Sequence, residues 1–360
     1  MVHGTNEGTA TVTSKPRISL DAMGGDKAPE VVIQGAERAL EGNPNLELIL
    51  VGDQDQLNPL LKKTRLLKNV VRIIHTDEAV DPTAKVSQAL RSGKNTSMWK
   101  AIELVNNGEA DAVVSAGNTG ALMAMSKLQL RMIEGVTRPA IASFVPTQNG
   151  RCCILDLGAN LECDEHNLVQ FAIMGSAFSR FLQNIDRPTV GLLNVGEEDQ
   201  KGFDYLRAAA ETLRRDDLPV NYVGFVEGSD FSSGTVNVIV TDGFTGNIAL
   251  KTAEGVAQLV RAFLRRAFAA NIFTKIAYLF ARPALARVRS MINPNAYNGA
   301  VFLGLNGISV KSHGGTNAFG YANAIGVAAD MVKNGYLPEV SQAIAKANLI
   351  LNEEKRDENG

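Results

Sequence analysis

Short apolar runs alternate with helical patterns along most of this chain. The runs are rich in Val, Ile and Leu and are apolar on both faces. Such strands are typical of sheets that helices cover on both sides, and these sheets are usually parallel. The sequence therefore predicts a three-layer α/β/α sandwich. The predicted strands are Ile18–Leu20, Leu46–Val51, Val70–Ile74, Ala112–Val114, Ile141–Val145, Cys153–Leu155, Val190–Leu193, Tyr222–Val226 and Val236–Val240.

Between these runs, apolar residues recur at the spacing of amphipathic helices. The chain shows no composition break between Arg17 and Leu351. We therefore expect one domain over 17–351, a disordered tail at 1–16 and a charged, fraying tail at 352–360. The predicted helices are Pro29–Glu41, Thr96–Asn106, Thr119–Ile133, Glu165–Gln183, Asp204–Arg215 and Phe319–Lys333.

The stretch 254–294 departs from this alternation, because it has a helical pattern without an intervening strand. Within it, residues 261–289 contain seven basic side chains and no acidic one. The pattern predicts a helical hairpin that protrudes from the sandwich. Such a surface would serve a dimer contact or an anionic membrane, and the alternative is a core helix with solvated arginines.

Composition excludes several classes of protein. The chain has 360 residues, 45% of them hydrophobic, and a net charge of −2. A pI near 6.2 argues against general nucleic-acid binding. No run of about eighteen apolar residues predicts a membrane span, and residues 1–16 do not resemble a signal peptide, so we expect a cytosolic protein. Cys152 and Cys153 are predicted to be buried without a disulfide, and acidic neighbours make Cys163 a poor nucleophile.

Two glycine turns follow predicted strands and precede predicted helices. They are Thr241–Asn247 and Ala116–Gly120. In the first, Gly243 and Gly246 allow a tight turn and a close approach of the backbone to a ligand. The first free amides of the next helix would face that ligand and favour an anion. Together the turns predict a phosphate or carboxylate site, built from several loops at one edge of a sheet.

Four further segments join a strand to a turn: Asp21–Lys27, Asp156–Asn160, Asn194–Gly202 and Lys311–Thr316. Each also has a simpler interpretation. The first alone favours a tight turn capped by Asp26, and the acidic third segment alone favours a solvated loop. Of the four histidines we expect His313 to face a ligand, because its loop lies between a strand and a helix.

Several common site signatures are missing from the chain. It contains no dinucleotide-binding glycine motif, no P-loop, no His-Glu-x-x-His pair and no Cys-x-x-Cys spacing. We therefore predict neither a cofactor nor a metal. Acidic residues at strand ends leave a magnesium site open.

Taken together, six motifs resemble those of the bacterial phosphate acyltransferases of phospholipid synthesis. The resemblance runs in order from about Arg17 to Leu351, which makes it specific. The extra tail before Arg17 departs from the family, and so does Gly315-Thr316, where the family more often has serines. The motifs are Leu20–Asp26, Ser115–Ala121, Asp156–Asn160, Asn194–Glu198 with Lys201-Gly202, Thr241–Asn247 and Lys311–Gly314.

The resemblance implies reversible transfer of a long acyl chain from acyl carrier protein to inorganic phosphate. The acyl phosphate would supply a glycerol-3-phosphate acyltransferase. The resemblance also implies a homodimer, a fold like that of isocitrate and isopropylmalate dehydrogenases, and peripheral attachment to the inner face of the cell membrane through the hairpin. No cofactor, metal or nucleic acid is implied.

With this chemistry, we expect Lys201 to contact phosphate or the developing negative charge, with Asn194 and Asn247 as neutral donors beside it. The predicted phosphate and substrate contacts are Asp21, Gly24, Gly25, Asp26, Lys27, Gly117, Asn118, Thr119, Asn160, Asp242, Gly243, Thr245, Gly246, His313 and Gly314. The predicted contacts to the acidic carrier protein or the membrane are Arg261, Arg265, Arg266, Phe273, Lys275, Phe280, Arg287 and Arg289.

Three other functions fit parts of the sequence. One is a phosphotransacetylase-like transfer of short acyl groups between coenzyme A and phosphate. Another is a hydroxy-acid dehydrogenase of the isocitrate type, which could share the sandwich. The third is a membrane-bound scaffold without enzymatic activity, which only the hairpin supports.

Overall fold

The computed structural model describes residues 15–291 and 293–357. The predicted tail at 1–16 therefore lies almost wholly outside the described residues, as do residues 358–360. The described strands form one continuous eleven-stranded sheet. They are β1 (Arg17–Asp21), β2 (Glu47–Gly52), β3 (Arg72–His75), β4 (Ala112–Ser115), β5 (Ala140–Thr147), β6 (Gly150–Leu155), β7 (Thr189–Leu193), β8 (Asn221–Val226), β9 (Val238–Val240), β10 (Ala300–Leu303) and β11 (Ile308–Lys311).

Most helices begin where a side chain caps the first turn. Asp164 accepts the amide of Asn167 at the start of the helix Glu165–Gln183, and Asn167 returns the contact, which is a capping box. The helices are α1 (Glu30–Gly42), α2 (Gln54–Leu61), α3 (Val86–Ser92), α4 (Ser97–Asn106), α5 (Thr119–Leu130), α6 (Glu165–Gln183), α7 (Asp204–Leu213), α8 (Asp230–Ser233), α9 (Gly243–Ala269), α10 (Ile272–Met291), α11 (Ala318–Lys333) and α12 (Tyr336–Asp357).

Helices cover both faces of the sheet, which confirms the α/β architecture. Along β2, Leu48 and Leu50 pack into one hydrophobic core, and Ile49 and Val51 pack into the other. Neighbouring strand residues point to opposite faces, so each core occupies one side of the sheet. Helices α1, α6, α7, α11 and α12 contribute to the first core, and α3, α4 and α5 contribute to the second.

The strand order is β3-β2-β1-β4-β11-β10-β5-β6-β9-β7-β8. Strands β3, β2, β1, β4 and β11 run parallel to one another, and β10 pairs antiparallel with both β11 and β5. Strand β5 pairs antiparallel with β6, which is followed by parallel β9, β7 and β8. The sheet is therefore mixed, and its two halves run in opposite directions. The expectation of a parallel sheet holds only within each half.

Several predicted boundaries are wrong. Strands β10 and β11 were not predicted, although both are almost wholly buried. Helix α9 begins at Gly243, inside the glycine turn, and not after that turn. Helix α12 continues to Asp357, so much of the predicted charged tail at 352–360 is helical. The predicted helix Glu165–Gln183 is confirmed.

The helical hairpin predicted over 254–294 is confirmed as α9 and α10. The rings of Phe268 and Tyr278 lie 5.5 Å apart between the two helices. Of the described α9 residues, only Gly243 and Gly246 are buried, which contradicts the alternative of a core helix. Among the described residues, no helix is long and apolar enough to cross a membrane.

Candidate active site

Three glycine loops meet at the carboxyl ends of β1, β4 and β11, which are neighbours in the sheet. We call the loops 21–27, 115–119 and 311–315 the Asp21 cluster. The amide of Asp26 donates to the carbonyl of Gly314 at 3.0 Å, so two of the loops are joined through their main chains. The cluster contains the predicted contacts Asp21, Gly24, Gly25, Asp26, Lys27, Gly117, Asn118, Thr119, His313 and Gly314.

Asp21 is the buried centre of this cluster. Its two carboxylate oxygens accept hydrogen bonds from the hydroxyls of Ser97 and Ser115, each at 2.6 Å. Burial raises the pKa of Asp21 above its usual range, although both hydroxyls oppose this effect. Asp21 therefore holds the three loops together from inside the cluster. A side chain that contacts a ligand would have to face solvent, and Asp21 does not.

His313 is exposed, as a ligand-facing residue would be. Its ring Nδ1 accepts the amide of Gly315 at 3.1 Å, and its own amide donates to Asn298 Oδ1 at 2.9 Å. The loop that carries His313 is thus fixed at both sides. This leaves Nε2 of the ring as the atom available to a ligand.

A second group of loops follows β6, β9 and β7, which are also neighbours in the sheet. We call the loops 156–163, 194–203 and 241–247 the Asp156 cluster. It contains the predicted contacts Asn160, Asn194, Lys201, Asp242, Gly243, Thr245, Gly246 and Asn247.

Asp156 is the buried centre of this second cluster. Its Oδ1 accepts the amides of Ile141, Gly158 and Ala159, at 2.9 to 3.1 Å. Its Oδ2 accepts both the amide and the side-chain Nδ2 of Asn160, at 2.7 and 2.9 Å. Burial raises the pKa of Asp156, and the hydrogen bonds from Ala159, Ile141 and Asn160 oppose the rise. The carboxylate therefore fixes the shape of the 156–163 loop.

The start of α9 packs directly on this loop. The amide of Gly243 donates to the carbonyl of Asn160 at 2.8 Å. A Cβ on Gly246 would overlap the carbonyl oxygen of Asp156, so only glycine allows this close approach. The two glycines of this turn therefore allow the start of α9 to pack closely on the 156–163 loop.

The amides expected to face an anion at this turn are largely occupied. The carboxylate of Asp242 caps α9 by accepting the amide of Thr245 at 2.8 Å, and the amide of Gly246 bonds the carbonyl of Asp242. In the Asp21 cluster, Asn118 caps α5 in the same way. The prediction of free helix amides is thus wrong for these donors, because cap side chains satisfy them.

Lys201 lies on the exposed side of the Asp156 cluster. Its side chain is 46% exposed and its Nζ lies 3.0 Å from Glu198 Oε2. Asn194 is buried and donates from Nδ2 to the carbonyl of Lys201 at 3.1 Å. Asn194 therefore shapes the lysine loop, whereas Asn247 is exposed beside Gly158.

Exposed apolar side chains surround the Asp156 cluster, and sequence reasoning did not select them. Phe203 stacks on Tyr205 with their ring centres 5.7 Å apart. Burial, together with the carboxylate of Asp242 at the start of α9, raises the pKa of Tyr205. We call four of these residues the apolar rim: Leu161, Val195, Phe203 and Phe244, which are 72, 78, 68 and 57% exposed.

The two clusters do not share one edge of the sheet. The strands that lead into them run in opposite directions, so their carboxyl ends face opposite ends of the ladder. Among the described residues, no recorded hydrogen bond joins a loop of one cluster to a loop of the other. The expectation of a single group of turns at one edge is therefore wrong, because the sheet reverses between β11 and β6.

The predicted carrier or membrane contacts lie apart from both clusters, on the hairpin. All eight are exposed: Arg261, Arg265, Arg266, Phe273, Lys275, Phe280, Arg287 and Arg289. Three of the arginines, Arg261, Arg265 and Arg266, line one hollow on α9. The hairpin therefore presents basic and apolar groups together.

Sequence reasoning missed Lys311 as a site residue. It ends β11 and its side chain is mostly buried in the Asp21 cluster, where Nζ donates to the carbonyl of Ala116 at 3.3 Å and to that of Ser312. The motif Lys311–Gly314 carried the signal, but only His313 and Gly314 were selected from it as site residues. The described residues contain no group of three or more His, Cys, Asp or Glu side chains that could hold a metal ion.

Comparison with known proteins places this arrangement in a family. A family model described as "Fatty acid synthesis protein" matches residues 16–338. The phosphate acyltransferase of Paramagnetospirillum magneticum is 53% identical over 319 residues, which cover 89% of this chain and 91% of the relative. That of Rhodospirillum centenum is 54% identical over 334 residues, covering 93% and 94%. The chain belongs to the phosphate acyltransferase family.

Membership in the phosphate acyltransferases confirms the resemblance inferred from the six motifs, and with it the prediction of an acyltransferase. Among solved structures, a phosphotransacetylase from Streptococcus pyogenes matches with a TM-score of 0.61 at 18% identity, covering 89% of this chain and 94% of that one. At that identity the likeness concerns the fold alone.

Proposed function

We propose that this protein transfers a long-chain acyl group from acyl carrier protein to inorganic phosphate at the Asp156 cluster. Family membership supports transfer to phosphate. The observation that carries the rest is the combination of an exposed lysine, Lys201, with an apolar rim on the same three loops. A charged acceptor and an apolar tail need these two kinds of surface side by side.

The reaction needs the phosphate held against a thioester carbonyl. An oxygen of phosphate attacks the carbonyl carbon, the carbon–sulfur bond breaks, and the thiolate leaves and takes up a proton. Lys201 exchanges Glu198 for phosphate or for the developing oxyanion, while Asn247 is a neutral donor near it. Asn194 acts indirectly, because its hydrogen bond to the carbonyl of Lys201 fixes the loop that carries the lysine.

The apolar rim favours a long acyl chain over an acetyl group. Leu161 and Val195 directly follow polar residues of these loops, and Phe203 and Phe244 each follow a glycine. An acyl chain that leaves the carbonyl therefore lies across this rim. Burying each methylene is worth about 0.8 kcal/mol. A phosphotransacetylase-like enzyme for short chains has no use for such a surface.

The Asp21 cluster retains its predicted role as a substrate contact. Its exposed members, Asp26, Lys27, Thr119 and His313, are accessible to a ligand. The architecture we propose is that of the isocitrate dehydrogenase group.

The hairpin is the proposed contact to partners. Its exposed arginines complement an acidic carrier protein or an anionic membrane, and its exposed phenylalanines suit a second copy of the chain or a lipid surface. We propose a homodimer that attaches peripherally to the inner face of the cell membrane. Acyl phosphate would pass from there to a glycerol-3-phosphate acyltransferase.

Replacement of Lys201 tests the reaction and the site together. Purified protein is incubated with palmitoyl-carrier protein and phosphate, and palmitoyl phosphate and freed thiol are measured. We expect formation by the wild type, and for Lys201→Ala a rate about 100- to 1000-fold lower, as for loss of one oxyanion donor. Lys251→Ala is the matched control, because Lys251 forms an exposed pair with Glu254 at the same sequence spacing and is expected to keep its rate. A normal rate in Lys201→Ala would remove the assignment.

A further inference from the structure

Lys311 is a mostly buried amine among glycine loops. It is the last residue of β11 and pairs in register with Ser115 at the end of β4. Two carbonyl oxygens, of Ala116 and Ser312, accept its protons. Neither is an anion, so the charge of the ammonium is solvated by dipoles alone at these two contacts.

The acidic groups near Lys311 neutralise it only in part. Asp21 and Asp26 raise the pKa of the ammonium, but burial lowers it more, and the result is a pKa of about 8. Asp21 is itself engaged by Ser97 and Ser115. The desolvation of Lys311 therefore exceeds the attraction that the folded chain supplies.

The loops around Lys311 leave its site narrow. Gly25 adopts a φ of 112°, and a Cβ there would lie 3.0 Å from the Cβ of Ala116 and 3.3 Å from the carbonyl oxygen of Gly314. Any larger residue would force these loops apart. Lys311 nevertheless keeps some solvent exposure, so a small ligand can reach it.

We propose that the Asp21 cluster binds a phosphate-type oxyanion with Lys311 as its cation, as a site separate from the Lys201 loop. This inference deepens the proposed function, on which it rests for the identity of the ligand. The oxyanion belongs either to inorganic phosphate or to the phosphodiester of the donor's phosphopantetheine arm. Both present the same chemistry to an ammonium.

The groups that face Lys311 define its pH dependence. They are Asp21 and Asp26. Tyr321 from α11 donates its hydroxyl to the carbonyl of Val114, and burial raises its pKa well above its usual range, so it stays neutral. None of these groups is a cation that could replace the charge of Lys311 at high pH. Oxyanion affinity therefore falls as pH rises past about 8, where Lys311 loses its proton.

The test is calorimetric titration of the full chain with two probes, inorganic phosphate and pantetheine 4′-phosphate. Lys311→Gln is expected to lower the affinity for at least one probe about tenfold or more, because the contact to the anion loses its positive charge. Lys311→Arg keeps a charge that does not titrate, so its affinity stays nearly constant between pH 7 and 9.5 while that of the wild type falls. Lys127→Gln, an exposed change on α5, is the control.

The probe whose affinity falls in Lys311→Gln identifies the ligand. Loss for inorganic phosphate alone identifies the bound oxyanion as inorganic phosphate, and loss for pantetheine 4′-phosphate alone identifies it as the phosphate of the donor arm. Unchanged affinity for both probes in Lys311→Gln overturns the inference. If that variant does not fold, as judged by circular dichroism and urea denaturation, the pH profiles of the wild type and Lys311→Arg decide the matter, and identical profiles overturn the inference.

The two proposals fail separately. If the wild type forms no acyl phosphate but binds oxyanion through Lys311, only the proposed function fails. If turnover depends on Lys201 while Lys311→Gln binds both probes as the wild type does, only the Lys311 site fails.

Discussion

The Asp21 cluster and the Asp156 cluster use the same kind of glycine turn but place their lysines at different depths. Lys311 is mostly buried, and two acidic groups fail to offset its desolvation. Lys201 is exposed and already paired with Glu198. An exposed ion pair contributes little to stability, so exchange of Glu198 for a ligand costs little, whereas a buried ammonium gains more from a new anion. The depth of the lysine therefore distinguishes two sites that look alike in sequence.

The clusters differ equally in what surrounds them. The Asp156 cluster has exposed apolar residues on all three of its loops, whereas the large side chains beside the Asp21 cluster, such as Met98 and Tyr321, are buried. An acyl chain needs the first surface and a small oxyanion needs only the second. Variants that separate these requirements test the comparison.

Among the variants that test this comparison, the largest effect is expected for Gly246→Ala. The new methyl group would overlap the carbonyl oxygen of Asp156, so α9 or the 156–163 loop must shift. Because a misplacement of about 1 Å costs about 100-fold in rate, we expect a loss of that order in acyl-phosphate formation. The same shift should leave phosphate binding through Lys311 unchanged, which titration would measure.

Gly255→Ala is the control for this change, because it lies in the same helix with no atom within 4 Å of the added Cβ. Alanine in a helix interior is favoured over glycine, so stability should rise by up to about 1 kcal/mol, measured by urea denaturation. Equal rates for the two variants would mean that the reaction does not take place at the Asp156 cluster.

A smaller effect is expected for Phe203→Ser. Loss of one ring from the apolar rim should raise the KM for palmitoyl-carrier protein about three- to tenfold, since several methylenes lose their contact. The KM for hexanoyl-carrier protein should change little. Val70→Ser removes a similarly exposed apolar side chain far from both clusters and is the control.

Two other outcomes would redefine the rim. If Phe203→Ser alters neither KM but dissociates a dimer in sedimentation experiments, then the rim is an interface between copies. If both KM values rise together, then Phe203 supports the loop and does not contact the chain.

The smallest effect is expected on the hairpin. Changing Arg261, Arg265 and Arg266 to Glu should raise the KM for carrier protein about two- to tenfold at low salt and less at high salt, because exposed charges are screened. The same change of charge at Lys62, Lys63 and Lys68, which are exposed on another part of the molecule, should have no such effect. Reduced binding to anionic vesicles with an unchanged KM would favour the membrane over the carrier protein as the arginines' partner.

Much of the local structure follows from the sequence. Apolar runs gave most strands, and the loops of all six motifs do follow strands, because polar ligand-facing residues interrupt such runs. Helix α6 ends where expected since Asn184 adopts the left-handed conformation that stops it. The family resemblance followed from the order of the motifs along the chain. The turn and helix preferences of each motif do not determine that order.

The direction of the strands did not follow from the apolar pattern, because a buried strand has the same pattern in either direction. One signal was present and was overlooked. The turn from β5 to β6 contains Asn149 and ends at Gly150, the first residue of β6, which has a φ of 115°. The pair Asn-Gly is a typical signal of a tight hairpin. Recognition of that turn would have predicted the reversal of the sheet and hence two clusters.

Lys311 and the helix caps could not be predicted for another reason. One of the two hydrogen-bond partners of Lys311, Ala116, is 195 residues away along the chain, and the burial of Lys311 depends on all three loops together. Asp242 and Asn118 could have been read as caps, since both residue types favour that position. Whether a helix end is capped or open to a ligand depends on the rotamer of the side chain at the cap position, and the sequence does not determine that rotamer.

The position of β11 between β4 and β10 has a consequence for biosynthesis. Every strand and loop of the Asp156 cluster has been translated by Asn247, whereas the Asp21 cluster needs Lys311 to pair beside Ser115 across 195 intervening positions. Contacts so distant along the chain form slowly, and nascent chains fold from the amino terminus. A ribosome-bound chain can therefore complete its second half-sheet while the middle of its first half still has an open edge, and that edge is where a nascent-chain chaperone would be needed.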